Sequence, residues 1–389
     1  MIDIKDKKQC CGCNACVLAC PINCISMHND EEGFWYPNVN KEACIKCGKC
    51  ERVCPIINSE NIIKANKDKI IGEQPQTYIA YTSDEQLRQE SSSGGMFGVI
   101  ARKILQENGV VFGAAYDENY RVHHIYIDNE SDMYRLQGSK YVQSDIENTY
   151  KEAQDILKTG RIVFFTGTAC QIAGLKQFLG KDYDNLYTAD VLCHGTPSPK
   201  LWKMYLEYLK KVNNSDVKSV NFRDKSIGWK KFSMRVKFDN SELSEPFYNN
   251  KYMNLFLGNI CLRPSCYDCH FKSLVRPSDI TIGDCWGIEN YKPELDDDKG
   301  ASVVLINSEK GLRFFEKISG NLVYSKAETD KALPPTADSR KSVAVHFNRK
   351  KFFVALQQEN DFDKLVKYLE PSIIRKVVRK SKRIIKKLL

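Results

Sequence analysis

A chain of 389 residues, 42% of them hydrophobic, is long enough for roughly two or three domains with a sizeable core, and its composition gives no sign of disorder. Its formal net charge of +9 arises almost wholly from residues 372–389, which hold eight Lys or Arg and no acid, so the nearly neutral remainder offers no footprint for nucleic acid. No apolar run reaches the roughly 18 residues of a membrane span, and the start MIDIKDKK has no apolar signal core; the 16 cysteines, many of them without an evident disulfide partner, point to a reducing cytoplasm.

Residues 10–21, CCGCNACVLACP, set Cys10, Cys13, Cys16 and Cys20 ahead of Pro21 as C-x2-C-x2-C-x3-C-P. The pattern returns at Cys44, Cys47, Cys50 and Cys54 ahead of Pro55. Such a run wraps three thiolates round one [4Fe-4S] cube and sends the cysteine before proline to the cube of the other run. The spacing therefore assigns Cys10, Cys13, Cys16 and Cys54 to one cluster, and Cys44, Cys47, Cys50 and Cys20 to a second. Zinc would draw on two separated CxxC pairs and has no use for so many thiols in one run. Cys11 and Cys24 are left over and read as small buried residues.

After Pro55 the sequence NSENIIKANKDKIIGEQPQ is polar and weakly periodic, as a linker should be. From Tyr78 onward β-rich runs alternate with amphipathic helical patterns: TYIAYT, GGMFGVIARKILQENG, VVFGAAY, HHIYIDN, RIVFFTG, CQIAGLKQFLG, NLYTADVLCHG and PKLWKMYLEYLKKV. VKSVNFRD and FSMRVKF suggest a small antiparallel insertion, and DITIGDCW and ASVVLIN return to buried strands. The expected fold is α/β with a mixed sheet in the main domain.

RIVFFTGTAC ends in Thr168 and Cys170 where a strand passes into a helix, and NLYTADVLCHG ends in Cys193 and His194. In a parallel sheet both strand ends open on the edge where ligands bind. LRPSCYDCHFK adds Cys266 and Cys269. The four thiols of Cys170, Cys193, Cys266 and Cys269 are candidates for a third [4Fe-4S] cluster, with Cys261 and Cys285 as substitutes; the competing reading is two core thiols and a zinc-binding CxxC. In QESSSGGMFG, Ser91, Ser92, Ser93, Gly94 and Gly95 lead into a helix, an arrangement that turns backbone N–H groups and the helix dipole toward a phosphate. LQGSKYVQSD supplies Lys140, Tyr141 and Gln143 for a ring edge or a second phosphate. Iron–sulfur cubes move single electrons, whereas organic substrates usually take two, and a flavin converts between the modes. With no GxGxxG nucleotide fingerprint, the combination suggests FAD fed by ferredoxin.

SSSGG, GSKYVQSD, GTACQIAGL, CHGTPSP, FRDKSIGW, LRPSCYDCHFK and SDITIGDCWGI together resemble the family of coenzyme F420 hydrogenase/dehydrogenase beta subunits, in its long bacterial form with a fused ferredoxin domain, over residues 1 to about 300. The resemblance implies FAD, a third cluster and redox chemistry on the deazaflavin coenzyme. The related 7-hydroxymethyl chlorophyll a reductase takes its electrons from ferredoxin instead. The long bacterial form is similar to proteins encoded among polysaccharide-synthesis genes. Cys285 departs from the aromatic residue expected in GDxWGI.

His194 is the candidate proton donor to a reduced substrate, and Arg223, Asp224 and Lys225 of FRDK are candidates to bind an anionic group. Asp279 and Asp284 read as strand caps. In the tail SIIRKVVRKSKRIIKKLL, Ile, Val and Leu occupy one helical face and cations the other, the pattern of a helix on an anionic membrane at about 1 kcal/mol per basic residue, or of one packed on the body. The expected organisation is a ferredoxin-like unit (1–60), a linker (61–76), a first main-domain segment with the phosphate loop (77–150), a second α/β segment with the third cluster (151–335) and a helical tail (336–389). The expected activity is oxidoreduction, with electrons passing from ferredoxin or another low-potential donor through clusters and FAD to an organic acceptor. The alternatives are a coenzyme F420 reductase and a non-catalytic electron-transfer subunit. The expected location is the cytoplasm, either free of the membrane or with the tail at its inner face.

Overall fold

The computed structural model describes residues 1–359 and 361–370. The basic segment 372–389, expected to form an amphipathic helix on a membrane, lies outside the described residues. No helix among the described residues is long and apolar enough to cross a membrane.

Each cysteine run bends through a left-handed residue, Asn14 (φ 64°) or Gly48 (φ 71°), into one short helix, Ala15–Leu18 or Lys49–Arg52. Between the runs, β1 (Ile25–Asn29) and β2 (Trp35–Val39) pair antiparallel. The interior of this unit is Ile2 and Ile25 together with Cys20, Cys24, Cys50 and Cys54, so thiols fill space that aliphatic side chains fill elsewhere. The stretch expected as a linker begins instead with a helix, Ser59–Lys67. Its polar composition hid it: Ile62 is its one buried apolar side chain, packed against Ala169, Ala173 and Phe271, so tertiary contact rather than an apolar stripe holds it.

The main domain contributes β3 (Gln76–Thr82), β4 (Val110–Tyr116), β5 (Val122–Ile127), β6 (Val163–Thr168), β7 (Leu186–Val191), β8 (Ser219–Asp224), β9 (Ser233–Lys237), β10 (Glu242–Pro246), β11 (Ile280–Asp284), β12 (Ser302–Ile306) and β13 (Leu322–Ala327). Strands β8 to β10 form a separate antiparallel sheet, where the small insertion was expected. The other eight form one mixed sheet in the order β13-β3-β12-β11-β7-β6-β4-β5. Its centre, β11-β7-β6-β4, is parallel. The flanking strands β5, β12, β3 and β13 are antiparallel to their neighbours. Because β3 lies between β12 and β13, segments 77–150 and 151–335 build a single sheet.

Both faces of that sheet are covered, so its central strands are apolar on both sides. Phe164 packs beneath the helices Met96–Gln106 and Glu309–Ile318, and its neighbour Phe165 beneath Thr149–Lys158 and Ala169–Leu179, as the two-residue period of a strand requires. Cys13, Ala15 and Leu18 belong to the second of these cores, which seats the ferredoxin-like unit on that face. A third core joins Trp202, Tyr205, Phe222 and Tyr252 to Phe352, Phe353 and Phe362 of the C-terminal helices.

Gly94 shows how closely the Ser-Gly turn is pressed to the sheet. A Cβ there would stand 2.5 Å from the Ala80 carbonyl oxygen and 2.9 Å from the Ser302 nitrogen, both backbone atoms that cannot swing aside. Gly94→Ala should therefore cost about 1–3 kcal/mol with or without any ligand. Gly320→Ala, where a Cβ meets open space, should change stability by no more than about 0.5 kcal/mol. Thermal melts compare the two directly, and equal melting temperatures would contradict the packing described.

Candidate functional site

In the parallel centre of the sheet Thr168 of β6 is level with Val191 of β7, so the segments that leave these strands emerge side by side. At this carboxyl edge the chain encloses a cavity of about 670 Å³, a size suited to a cofactor. Ser91, Ser92, Ser93, Gly95, Lys140, Tyr141, Gln143, His194 and Arg223 all line it, together with Cys170 and Cys193.

Of the residues singled out for cofactor or anion binding, Gly94, Asp224 and Lys225 do not. Gly94 faces the sheet, and its smallness serves packing rather than room for a phosphate. Lys225 turns its ammonium to the carbonyls of Arg88, Ser93 and Lys299 at 2.6, 3.1 and 2.7 Å, fixing the Ser-Gly turn from behind. Burial, and then the Arg88 guanidinium, push that lysine down to about 8. The hydroxyls of the turn are also engaged. Ser91 donates to the Leu87 carbonyl at 2.7 Å and Ser93 to that of Ala301 at 2.8 Å. The Ser92 hydroxyl accepts the Ser139 N–H at 2.8 Å, which ties the turn to loop 136–145. The Lys140 ammonium donates to the carbonyls of Leu136, Gln137 and Gly138, and burial pushes it down to about 7.

Arg223 forms a fork with Asp284, at 2.7 and 2.9 Å, and also donates to the Tyr141 hydroxyl at 3.1 Å. Trp229 Nε1 donates to the same carboxylate, so Asp284, read as a strand cap, is the counter-ion of the cavity's arginine. Asp279, read the same way, accepts from Thr188 and Ser308 deep in the sheet. Asp224 pairs with Arg235 at 3.2 Å. Trp229 stacks on Trp286 at 4.8 Å and 3°, and Trp286, nearly half exposed, forms part of the cavity wall. His194 donates from Nε2 to Asn259 at 2.7 Å and has Asp338 at 3.2 Å from Nδ1. Burial pushes its imidazole below the ordinary value, with Asp338 acting the other way. His124 also lines the cavity, a residue the alternation of HHIYIDN marked only as strand. Its Nε2 faces the Thr166 carbonyl, which can only accept, so Nδ1 accepts from Ser144, and burial pushes the ring down to about 4.

A second, narrower cavity adjoins the first and is lined by Cys170, Cys193, Cys266 and Cys269, with Cys11 beside them. The two share Cys11, Thr168, Cys170, Cys193, Gly195 and Thr196 as walls. Burial, then Cys266 and Cys170, push the Cys193 thiol up, and burial with Cys269 pushes Cys266 up to about 11. The Thr196 N–H points at Cys266 Sγ at 3.3 Å. Among the described residues no group of His, Cys, Asp or Glu is tight enough to hold a single metal ion. The thiols instead surround a space, and a cube takes one thiolate at each of four corners. The substitutes are elsewhere: Cys261 lies in the aromatic core, and the Cys285 thiol meets the Tyr291 hydroxyl at 2.7 Å.

In the N-terminal unit burial, then the neighbouring Cys10, Cys54 and Cys50, push the Cys16 thiol up. Cys20, Cys44, Cys47 and Cys50 line a small cavity of their own. Cys24 lines it too, with its sulfur 3.5 Å from that of Cys20. The Cys11 thiol stands between those of Cys13 and Cys170. Cys24 is thus a buried core thiol, as expected, and Cys11 a partly buried one.

A ferredoxin-like unit seated on an α/β domain beside a cofactor-sized cavity defines the class, an iron–sulfur oxidoreductase. Residues 9–57 match the profile of the 4Fe-4S dicluster domain, and residues 77–151 and 160–331 those of the N-terminal and C-terminal parts of the coenzyme F420 hydrogenase/dehydrogenase beta subunit. The chain belongs to that family of beta subunits. It is 27% identical over 210 residues to a coenzyme F420-dependent sulfite reductase of Methanocaldococcus jannaschii, covering 53% of this chain but only 30% of that longer protein. One subunit of the F(420)H(2) dehydrogenase of Methanosarcina mazei is 22% identical over 173 residues, 42% of this chain and 46% of its own. The F420-reducing [NiFe] hydrogenase complex of Methanosarcina barkeri contains a chain with a TM-score of 0.45 and 17% identity, covering 76% of this chain and 91% of that one.

Proposed function

We propose that the chain is an iron–sulfur flavoprotein oxidoreductase. Cys10, Cys13, Cys16 and Cys54 would hold one [4Fe-4S] cube, Cys44, Cys47, Cys50 and Cys20 a second, and Cys170, Cys193, Cys266 and Cys269 a third. The large cavity would hold FAD. When bound, the cubes supply one-electron transfer and the flavin converts it to the two-electron chemistry of an organic acceptor. The observation that carries this reading is that the thiol cavity and the large cavity share a wall that includes two of the four thiols.

The chain's own residues have distinct parts in it. Cys47 and Ile45 are exposed, whereas Cys20, Cys50 and Cys54 are buried, so a ferredoxin or other low-potential one-electron donor meets the chain at the Cys44 run. The turn at residues 91–95 opens the helix Met96–Gln106, whose first N–H groups suit a pyrophosphate. His194, held by Asn259 and Asp338 beside the shared wall, is the proton carrier. Arg223 is already matched by Asp284, so it orients a polar substrate edge rather than neutralising a full charge. The family makes the deazaflavin coenzyme one candidate for the organic acceptor. A cytoplasmic setting suits the cubes. The second reading, an electron-transfer subunit within a larger complex, is favoured by the subunit status of the Methanosarcina relative.

Anaerobically reconstituted protein should carry about twelve iron atoms and one flavin, and Cys266→Ser about eight irons with the flavin retained. A parent with no more than about eight irons would refute the third cube, and a colourless, flavin-free protein would refute the cavity assignment. Reoxidation of dithionite-reduced flavin by a small acceptor alone separates the enzyme from the subunit, which would need its partner protein.

A further inference from the structure

Arg263, in the LRPSCYDCHFK segment, is 1% exposed and sits where the ferredoxin-like unit meets the main domain. All of its hydrogen-bond partners are neutral. Nε donates to the Cys10 carbonyl at 2.7 Å, Nη2 to the Trp35 carbonyl at 2.9 Å and Nη1 to Gln143 Oε1 at 3.2 Å. Its guanidinium also lies 4.3 Å from the centre of the Tyr36 ring. No salt bridge joins it to a carboxylate among the described residues, although every other deeply buried arginine there has one: Arg88 with Asp297, Arg223 with Asp284 and Arg276 with Asp190. An arginine cannot shed its proton, and a buried charge without a counter-ion is costly.

The groups round it that become anionic on binding iron are thiols. Besides its bond to Cys10, Arg263 lines the narrower cavity together with Cys11, Cys170, Cys193, Cys266 and Cys269. Cys10 belongs to the first N-terminal set and Cys266 to the quartet at the sheet edge, so the same side chain touches the surroundings of both. Gly12, at φ 72°, makes this approach feasible, because a Cβ there would collide with Gln143 and with the guanidinium itself. The unit is clamped at the same point from the other side: Arg349 forms a fork with Glu32 and donates to the Leu262 carbonyl beside Arg263.

We infer that Arg263 is the shared counter-ion of two anionic cubes, the one on Cys10, Cys13, Cys16 and Cys54 and the one on Cys170, Cys193, Cys266 and Cys269, and that it draws the reduction equilibrium of both toward the reduced form. The inference rests on the cluster assignment above. A four-thiolate cube is an anion and becomes more so on reduction, so a buried cation close by favours the reduced state, and net charge is among the terms that set such potentials. Arg263 is on this account a positioning residue that docks the electron-carrying unit and matches the two cubes in potential.

EPR-monitored reductive titration of the whole reconstituted protein tests this, with the cube on Cys20, Cys44, Cys47 and Cys50 as internal reference. Arg263→Gln should shift both neighbouring cubes at least tenfold toward the oxidised form, about 59 mV for a one-electron couple, and leave the reference unmoved. Arg263→Lys keeps the charge and should stay within about threefold of the parent. If Arg263→Gln does not accumulate, Gln143→Glu sets a carboxylate against the intact guanidinium and should shift the same two cubes in the same direction. Unchanged equilibria in these variants, or an equal shift in all three cubes, would overturn the inference. A parent lacking the third cube's iron would defeat that part of the cluster assignment separately, and the expected shift at the Cys10 cube would still decide the role of Arg263.

Discussion

Gathering thiols in a space closed to water is the constraint on which the rest of this structure depends. The Cys193 and Cys266 thiols resist ionisation because of their burial and of the thiols beside them. A protein keeps such an arrangement when a cationic metal core takes the charge, because coordination deprotonates a thiol outright. The fold supplies the geometry. Parallel strands β6 and β7 deliver Cys170 and Cys193 at one edge, and the turn after Pro264 brings Cys266 and Cys269 against them.

The same edge determines where everything else must lie. The ferredoxin-like unit rests on the face that carries helix Ala169–Leu179, with Cys13 against Gly174, where even a Cβ would stand 3.0 Å from the sulfur. Cys11 reaches from that unit to Cys170. On the far side of the shared wall the large cavity opens between the Ser-Gly turn and loop 136–145, joined by Ser92 and Ser139. The order is thus a thiol-rich exposed end, a buried junction and a cofactor-sized cavity, a sequence of environments that runs from the solvent-facing Cys47 to His194.

Much of this was legible in the chain. The doubled cysteine spacing fixes its own chemistry because ligand number and order are local properties, and the alternation of apolar strands with amphipathic helices gives the sheet. The convergence of Cys170, Cys193, Cys266 and Cys269 could be read because two of them follow β-runs that a parallel sheet brings level. Where reading failed, the deciding contacts were long-range. The helix Ser59–Lys67 is held by one isoleucine against residues more than a hundred positions away. Lys225 looked like an anion ligand in FRDK, yet it is turned inward by carbonyls from residues 88, 93 and 299. His124 and Arg263 carry no local signature, since their importance lies in burial and in the partners that the fold gives them.

On the proposed reading the quartet at the sheet edge is an obligatory connection between the N-terminal cubes and the cavity. The most direct test is anaerobic stopped-flow reduction of flavin-loaded Cys269→Ser by a low-potential one-electron donor, followed at cluster and flavin wavelengths. The N-terminal cubes should bleach at the parental rate while the flavin, still bound, is reduced slower by orders of magnitude. Flavin reduction at the parental rate in a variant shown to lack the third cube would contradict the account.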